Sequence, residues 1–130
     1  MSRSRRLTLF VTLLCAVALG ACGSRGIEVA QDSEYRQGAE LFSENCSGCH
    51  SFSVAGAEGS ASNVATRERK DGPNFDQRQE SVEDVLFAIQ NGGFSSGPMP
   101  QNIATGEEAQ AIAEFVAEYS GKGADRPPTP

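Results

Sequence analysis

Apolar residues recur at helical spacing in three stretches of the chain, and the first stretch follows polar residues suited to cap a helix. Asp32 or Ser33 can cap a helix that runs to about Asn45. Its apolar face, at positions i, i+4 and i+7, consists of Tyr35, Ala39 and Phe42. Gly38 lies one turn before Phe42, and glycine inside a helix costs up to about 1 kcal/mol relative to alanine. We therefore expect Gly38 to allow the close approach of another helix.

Two further helices are predicted downstream, each with a polar cap and a glycine stop. Ser81, with Asp84 three residues later, begins the second, and Asn91-Gly92-Gly93 ends it. Its apolar positions are Val82, Val85, Leu86 and Ile89. Thr105 with Glu108 forms a capping box for the third, which Gly121 ends. Its apolar face consists of Ile112, Phe115, Val116 and Tyr119.

The remaining segments show no strand pattern and no internal repeat, so the predicted fold is all-α. The stretch from Ser51 to Lys70 is rich in Ala, Gly and Ser and has neither helical nor strand periodicity, which predicts a long loop. Such loops are uncommon in compact domains unless they are functional or wrap around a bound group. We interpret the charged run from Arg67 to Asp71 as solvated surface. We expect the domain to span 32–122 and residues 123–130 to form a disordered tail.

The N-terminal segment has the composition of an export signal. Arg3, Arg5 and Arg6 precede an uncharged stretch of 15 residues, Leu7 to Ala21, which is short of the roughly 20 residues of a membrane-spanning helix. Leu19-Gly20-Ala21-Cys22 resembles a bacterial lipobox, which implies cleavage after residue 21 and lipidation of Cys22. The alternative is ordinary cleavage that leaves a free thiol. Residues 22–31 are then expected to be a flexible tether.

Charge and apolar content restrict what the exported part can be. Residues 22–130 number 109, with 8 basic and 17 acidic side chains, a net charge of −9. One domain of this size excludes a two-domain enzyme, and a charge this negative argues against a nucleic-acid partner. Only 18 of the 109 residues are Leu, Ile, Val or Phe, and there is no Trp. Either the chain is disordered or a bound apolar group completes its core.

The chemical signal is Cys46-Ser47-Gly48-Cys49-His50, a C-x-x-C-H sequence, which is the attachment signature of c-type haem. Two thiols three residues apart can each add to a vinyl group of one porphyrin, and the next residue places its imidazole at the iron. A thioredoxin-like pair would need a βαβ context, and tetrahedral zinc would need two further ligands although His50 is the only histidine. A structural disulfide closing so short a loop would add little stability.

The second axial ligand is expected to be Met99. Apart from Met1 it is the only methionine, and it lies in Gly97-Pro98-Met99-Pro100, 49 residues after His50. Methionine is usually an adaptable packing residue, but this loop offers few apolar neighbours. Flanking prolines would hold its thioether rigidly toward an iron.

Between about Tyr35 and Gly121 these residues resemble the class I monohaem cytochromes c. The resemblance implies a fold of three main helices and long loops around one covalent haem, with Phe115 or Tyr119 packing the last helix across the first. It implies haem attachment through Cys46 and Cys49, and axial ligation by His50 and Met99. It also implies that the Pro73 carbonyl, in Gly72-Pro73-Asn74-Phe75, accepts the His50 Nδ1 proton and orients the ring.

An iron with both axial positions filled suits single-electron transfer better than catalysis on a bound molecule. We therefore expect an electron carrier rather than an enzyme, held by the lipid on Cys22 on the extracytoplasmic or periplasmic side of a cell membrane. Its expected partners are redox proteins such as a membrane oxidoreductase or a terminal oxidase. The alternatives are a haem-based gas or redox sensor and a dedicated haem subunit of a larger oxidoreductase.

Overall fold

The three predicted helices are present in the computed structural model, which describes residues 26–60 and 67–122. They are α1 (Arg36–Asn45), α2 (Val82–Asn91) and α3 (Gly106–Tyr119). Between α1 and α2 lies a small antiparallel hairpin of two-residue strands, β1 (Ser51–Phe52) and β2 (Ala57–Glu58). The predicted signal segment 1–21, Cys22 and the predicted tail 123–130 lie outside the described residues.

The start of α1 differs from the prediction. The helix begins at Arg36 and not next to Asp32 or Ser33, and its N-cap Tyr35 makes no side-chain capping bond. The Ser33 hydroxyl accepts from the Tyr35 N–H at 3.2 Å, and the Ser33 carbonyl accepts from the Arg36 N–H at 3.0 Å. Ser33 therefore closes a local turn before the helix instead of capping it, an alternative that Ser commonly offers the backbone.

The capping prediction is confirmed for α2, whereas for α3 the predicted N-cap residue is right and the predicted side-chain bond is absent. The Ser81 hydroxyl accepts from the Asp84 N–H at 3.1 Å, and Gly92 ends α2 in the left-handed conformation at φ 75°. The Thr105 side chain makes no capping bond, because α3 begins with Gly106 at φ 57°, which changes the geometry of its first turn.

Helices α1 and α3 cross at Gly38. A Cβ atom added there would collide with the Ala111 carbonyl oxygen and would lie 2.7 Å from Phe115 Cβ, so the expected close approach is confirmed. Two aromatic pairs flank the crossing. Phe42 meets Phe115 at a centroid distance of 6.0 Å, and Tyr35 meets Tyr119 edge-on at 5.8 Å.

The stretch after the C-x-x-C-H sequence is more ordered than predicted. The hairpin pairs Ser51 with Glu58 and Phe52 with Ala57 around a 3₁₀ turn, Ser53–Ala55. The Asp76 carboxylate accepts from the Ser53 N–H at 2.9 Å and the Ser53 hydroxyl at 2.6 Å. Strands this short carry no alternation, so periodicity could not find them.

The predicted tether also differs from the structure over its described part. Val29 is only 4% exposed and belongs to the core, and its carbonyl accepts from Arg36 Nη1 at 2.8 Å. The Glu28 N–H donates to the Val54 carbonyl at 2.9 Å. Residues 27–29 are therefore packed against the domain.

The centre of the core is a cluster of four phenylalanines from four parts of the chain. Phe42, Phe52 and Phe115 are almost fully buried, and Phe75 lies beside them with ring centroids 5.7 Å from Phe42 and 5.8 Å from Phe52. Among the described residues no helix is long and apolar enough to cross a membrane.

Candidate functional site

The end of α1 places three predicted site residues together. The chain leaves the helix in a tight turn, in which the Cys46 carbonyl accepts from the N–H groups of Cys49 at 3.2 Å and His50 at 3.0 Å. The two thiols and the imidazole line one cavity of about 380 Å³. Met99 and Pro73, the other two predicted residues, line the same cavity.

The His50 ring is oriented as the resemblance implies. Its Nδ1 lies 3.0 Å from the Pro73 carbonyl oxygen. Because a carbonyl only accepts, Nδ1 carries the proton and Nε2 keeps the lone pair that binds a metal. On one side, Phe75 stacks on the imidazole with centroids 4.9 Å apart and an interplanar angle of 13°.

Gly72 contacts the same ring, a role that sequence reasoning missed. A Cβ atom at Gly72 would overlap the imidazole, lying 2.6 Å from Nδ1 and 2.7 Å from Nε2 and closer still to Cε1. The Gly-Pro pair offers a signal for this contact, since a glycine before an orienting proline lets the backbone approach the ring closely.

The segment that carries Pro73 is fixed to the C-x-x-C-H turn by backbone bonds. The Gly72 N–H donates to the Cys49 carbonyl at 2.7 Å, and the Phe75 N–H donates to the Ser51 carbonyl at 2.9 Å. Asn74 pairs with Ser51 in a parallel β-bridge. The proximal imidazole and its acceptor therefore belong to one rigid unit.

Met99 reaches the cavity from a loop built on two left-handed glycines. Gly92 has φ 75° and Gly93 has φ 88°. A Cβ at Gly92 would lie 2.8 Å from the Met99 carbonyl oxygen, and one at Gly93 would lie 3.9 Å from the thioether sulfur. The loop closes where the Asn102 N–H donates to the Ile89 carbonyl at 2.8 Å. These contacts hold Met99, which is partly buried, beside the end of α2.

Burial makes the thiol and the imidazole of this site neutral. Desolvation, and then the neighbouring Cys49, raise the pKa of Cys46 to about 12. Desolvation lowers the pKa of His50, against the opposing effect of its bond to the Pro73 carbonyl. Because the thiolate is the reactive form in thiol exchange, a protonated Cys46 is poorly suited to a thioredoxin-like role.

The rim of the cavity carries both signs of charge, and Asp71, Glu80 and Asp84 are among its residues. Arg67, Arg69 and Lys70 are exposed, as expected of solvated surface, and they line the cavity together with Arg78. They are four of the six basic side chains that the structure describes. The deeper wall is apolar and includes Phe42, Ile89, Ile103, Ile112 and Val116.

Comparison with known proteins decides the family. Residues 33–116 match the family model described as "Cytochrome C oxidase, cbb3-type, subunit III". The chain belongs to the cytochrome c family. It is 25% identical over 123 residues to cytochrome c-551 of Bacillus subtilis (strain 168), a match covering 89% of this chain and 97% of that protein.

Among solved structures, this cytochrome resembles the c-type cytochrome SorU from Sinorhizobium meliloti. The TM-score is 0.53 at 35% sequence identity, covering 68% of this chain and 93% of that one. The predicted fold, an all-α cytochrome c domain, is thereby confirmed. Family membership implies a covalently bound haem c and haem-based electron transfer.

The residues present fit that group chemically. The cavity offers two thiols for thioether bonds, one neutral imidazole whose free nitrogen is a metal ligand, and one thioether sulfur. The wall is largely apolar, and the cationic side chains among the residues of its rim suit the carboxylates of a haem.

Proposed function

We propose that this cytochrome is a single-electron carrier with one haem c, attached through Cys46 and Cys49 and ligated axially by His50 and Met99. The observation that carries the proposal is that the two thiols, the imidazole and the thioether line one cavity although Met99 is 49 residues from His50 in sequence. When bound, the haem supplies an iron that accepts and releases one electron.

The residues of the chain position that group and exclude water from it. Pro73 and Gly72 hold the imidazole in one tautomer and orientation, which makes Nε2 a consistent ligand. Phe75 closes one side of the ring, and its own N–H is bonded to Ser51. A rigid ligand set reduces the rearrangement that accompanies a change of charge, which favours fast electron transfer.

We also propose that the lipid on Cys22 anchors the domain on the outer or periplasmic side of a cell membrane. The support is the lipobox-like Leu19-Gly20-Ala21-Cys22 and the uncharged stretch before it. Two or three acyl chains hold a protein stably, whereas one holds only marginally.

The partner is proposed to be a membrane oxidoreductase or a terminal oxidase. A second candidate function, a dedicated haem subunit of a larger complex, is favoured by the description of the matching family as an oxidase subunit. The near-complete coverage of cytochrome c-551, at 97% of its length, supports the carrier. A tethered domain of this size serves either arrangement.

Absorption spectra of the purified protein, oxidised and reduced, with and without carbon monoxide, test the proposal. The wild type should show a haem c spectrum that carbon monoxide leaves unchanged, since both axial positions are filled. Met99→Ala should bind carbon monoxide and have a lower reduction potential, because thioether ligation favours ferrous iron. If Met99→Ala keeps its potential and does not bind carbon monoxide, Met99 is not a ligand. Carbon monoxide binding by the wild type would favour the sensor.

A further inference from the structure

A buried carboxylate lies in the wall of the cavity and has no part in attachment or ligation. The Glu80 side chain is 8% exposed, lines the cavity, and is paired with Arg78, which is itself 55% exposed. Carboxylates are seldom this buried unless they are paired. Because Arg78 is exposed to water, its pairing with Glu80 offsets only part of the free-energy cost of desolvating the carboxylate.

The position of Glu80 is fixed from the far side by the end of α3. The Glu80 N–H donates to the Ser120 hydroxyl at 3.0 Å, and Ser120 is 3% exposed. Next to it, the Gly121 N–H donates to the Phe75 carbonyl at 2.9 Å, and Gln79 packs against Gly121. The backbone of Glu80 therefore cannot leave the cavity wall without breaking the contact between this loop and α3, and its carboxylate is held by Arg78.

We propose that Glu80 is a proton-accepting site coupled to the haem, so that this carrier takes up a proton when it takes up an electron. The inference rests on the proposed function, because it requires a haem in this cavity. Ferric haem carries one more positive charge than ferrous haem, and a nearby positive charge favours the ionised carboxylate. Reduction removes that charge and favours the protonated acid.

The step balances as one electron and one proton. When a donor protein reduces the bound haem by one electron, a Glu80 carboxylate oxygen would gain a proton from the solvent. When an acceptor removes that electron, the proton would return to the solvent. The reduced carrier thus holds one electron and one proton more than the oxidised carrier.

The surrounding charges set the pH range of this exchange. Desolvation raises the pKa of Glu80, Arg78 opposes that rise, and Asp84 at the start of α2 adds to it. The other charged groups are Arg67, Arg69, Lys70 and Asp71 in the cavity wall, and Glu118 and Lys122, which pair with each other, at the α3 end that packs on this loop. The net effect is that the pKa of the Glu80 carboxyl lies above its ordinary value.

Potentiometric titration of the haem-loaded protein at pH values from about 4 to 9 tests the coupling. The wild-type potential should be flat at low pH, fall as pH rises between the ferric and ferrous pKa values of Glu80, and flatten again. The slope of this fall has an upper limit of about 59 mV per pH unit, the equivalent of a tenfold change for a one-electron couple. Glu80→Gln should lose this fall and keep the higher, low-pH potential. Glu83→Gln is the matched control, since that carboxylate is exposed and does not line the cavity.

A second variant and a second measurement protect the test against misfolding. Arg78→Gln keeps the carboxylate but removes its cation, so the fall should persist and move to higher pH. A reduced-minus-oxidised infrared spectrum should show a protonated carboxyl band that Glu80→Gln lacks. The proposal is overturned if Glu80→Gln retains the wild-type fall, which would then belong to the haem carboxylates, or if the wild-type potential does not change with pH. Failure of the electron-carrier proposal can be told apart from failure of the Glu80 proposal, because no reversible one-electron potential would then be found.

Discussion

Replacing Gly72 with alanine tests whether the proximal histidine is held by contact with the backbone. The added Cβ would lie 2.6 Å from His50 Nδ1 and 2.7 Å from Nε2, well inside van der Waals contact. Gly72 is not among the positive-φ glycines, so alanine adds no backbone strain there. The loss of stability comes from the collision of the new Cβ with the ring. Overpacking a site costs typically about 1–3 kcal/mol. If the ring moves away, the Nδ1 bond to Pro73 is lost as well, at roughly 0.5–1.5 kcal/mol.

Part of this cost is offset, because alanine restricts the unfolded chain and so stabilises by about 0.4–1 kcal/mol. A net loss of about 0.5–4 kcal/mol remains. Since 1 kcal/mol shifts the Tm of a domain this size by roughly 4–8 °C, the Tm of Gly72→Ala should fall by roughly 2–32 °C.

Thermal unfolding followed by circular dichroism, with absorption spectra and reduction potential on the same samples, measures both effects. Gly26→Ala is the matched control, because a Cβ at Gly26 meets nothing within 4 Å. The control should unfold within about 2 °C of the wild type, as surface substitutions usually do. If Gly72→Ala behaves like Gly26→Ala in Tm, spectrum and potential, the contact between this backbone and the His50 ring is not a constraint on the site.

Three further predictions concern other contacts of the chain. Replacing both Cys46 and Cys49 with Ser should give a poorly folded protein without haem, as circular dichroism would show; a compact, helical haem-free variant would contradict a haem-completed core. Gly38→Ala should destabilise by about 1–3 kcal/mol in chemical denaturation, because the clash with Ala111 outweighs the helix preference of alanine; equal or greater stability would mean that the helices separate freely. Cys22→Ser should release or misprocess the protein, and mass spectrometry showing an unacylated mature wild-type N-terminus at Cys22 would refute the anchor.

The sequence predicted elements whose signals are local. Periodicity found all three helices, the spacing of Cys46, Cys49 and His50 indicated haem chemistry, and Ser81 capped α2 as expected. It also placed Pro73 against His50, through a resemblance and not through periodicity. Each of these depends on residues within one or two turns of each other or on a recurring motif.

Contacts distant in sequence were the ones missed. The stacking of Phe75 on His50 and the approach of Gly72 to the ring arise only once the chain has folded back on itself. The hairpin at residues 51–58 is local, but its two-residue strands are too short to show alternation. Val29 likewise looked like part of a tether because its neighbours are small and polar, although its side chain is buried. Polarity of a segment does not exclude one apolar anchor within it.

Net charge alone does not describe the rim of the cavity, and the difference bears on partner recognition. A charge of −9 for residues 22–130 predicts attraction to basic surfaces at long range. Electron transfer, however, takes place where the haem is held, and that rim carries Arg67, Arg69, Lys70 and Arg78. Interactions between exposed charges are screened beyond about 8 Å at physiological salt, so a docked partner responds to the rim more than to the whole molecule. A carrier of this kind can thus be drawn toward a basic surface by its net charge and yet dock through an edge of mixed charge, where Asp71, Glu80 and Asp84 lie among the four cations.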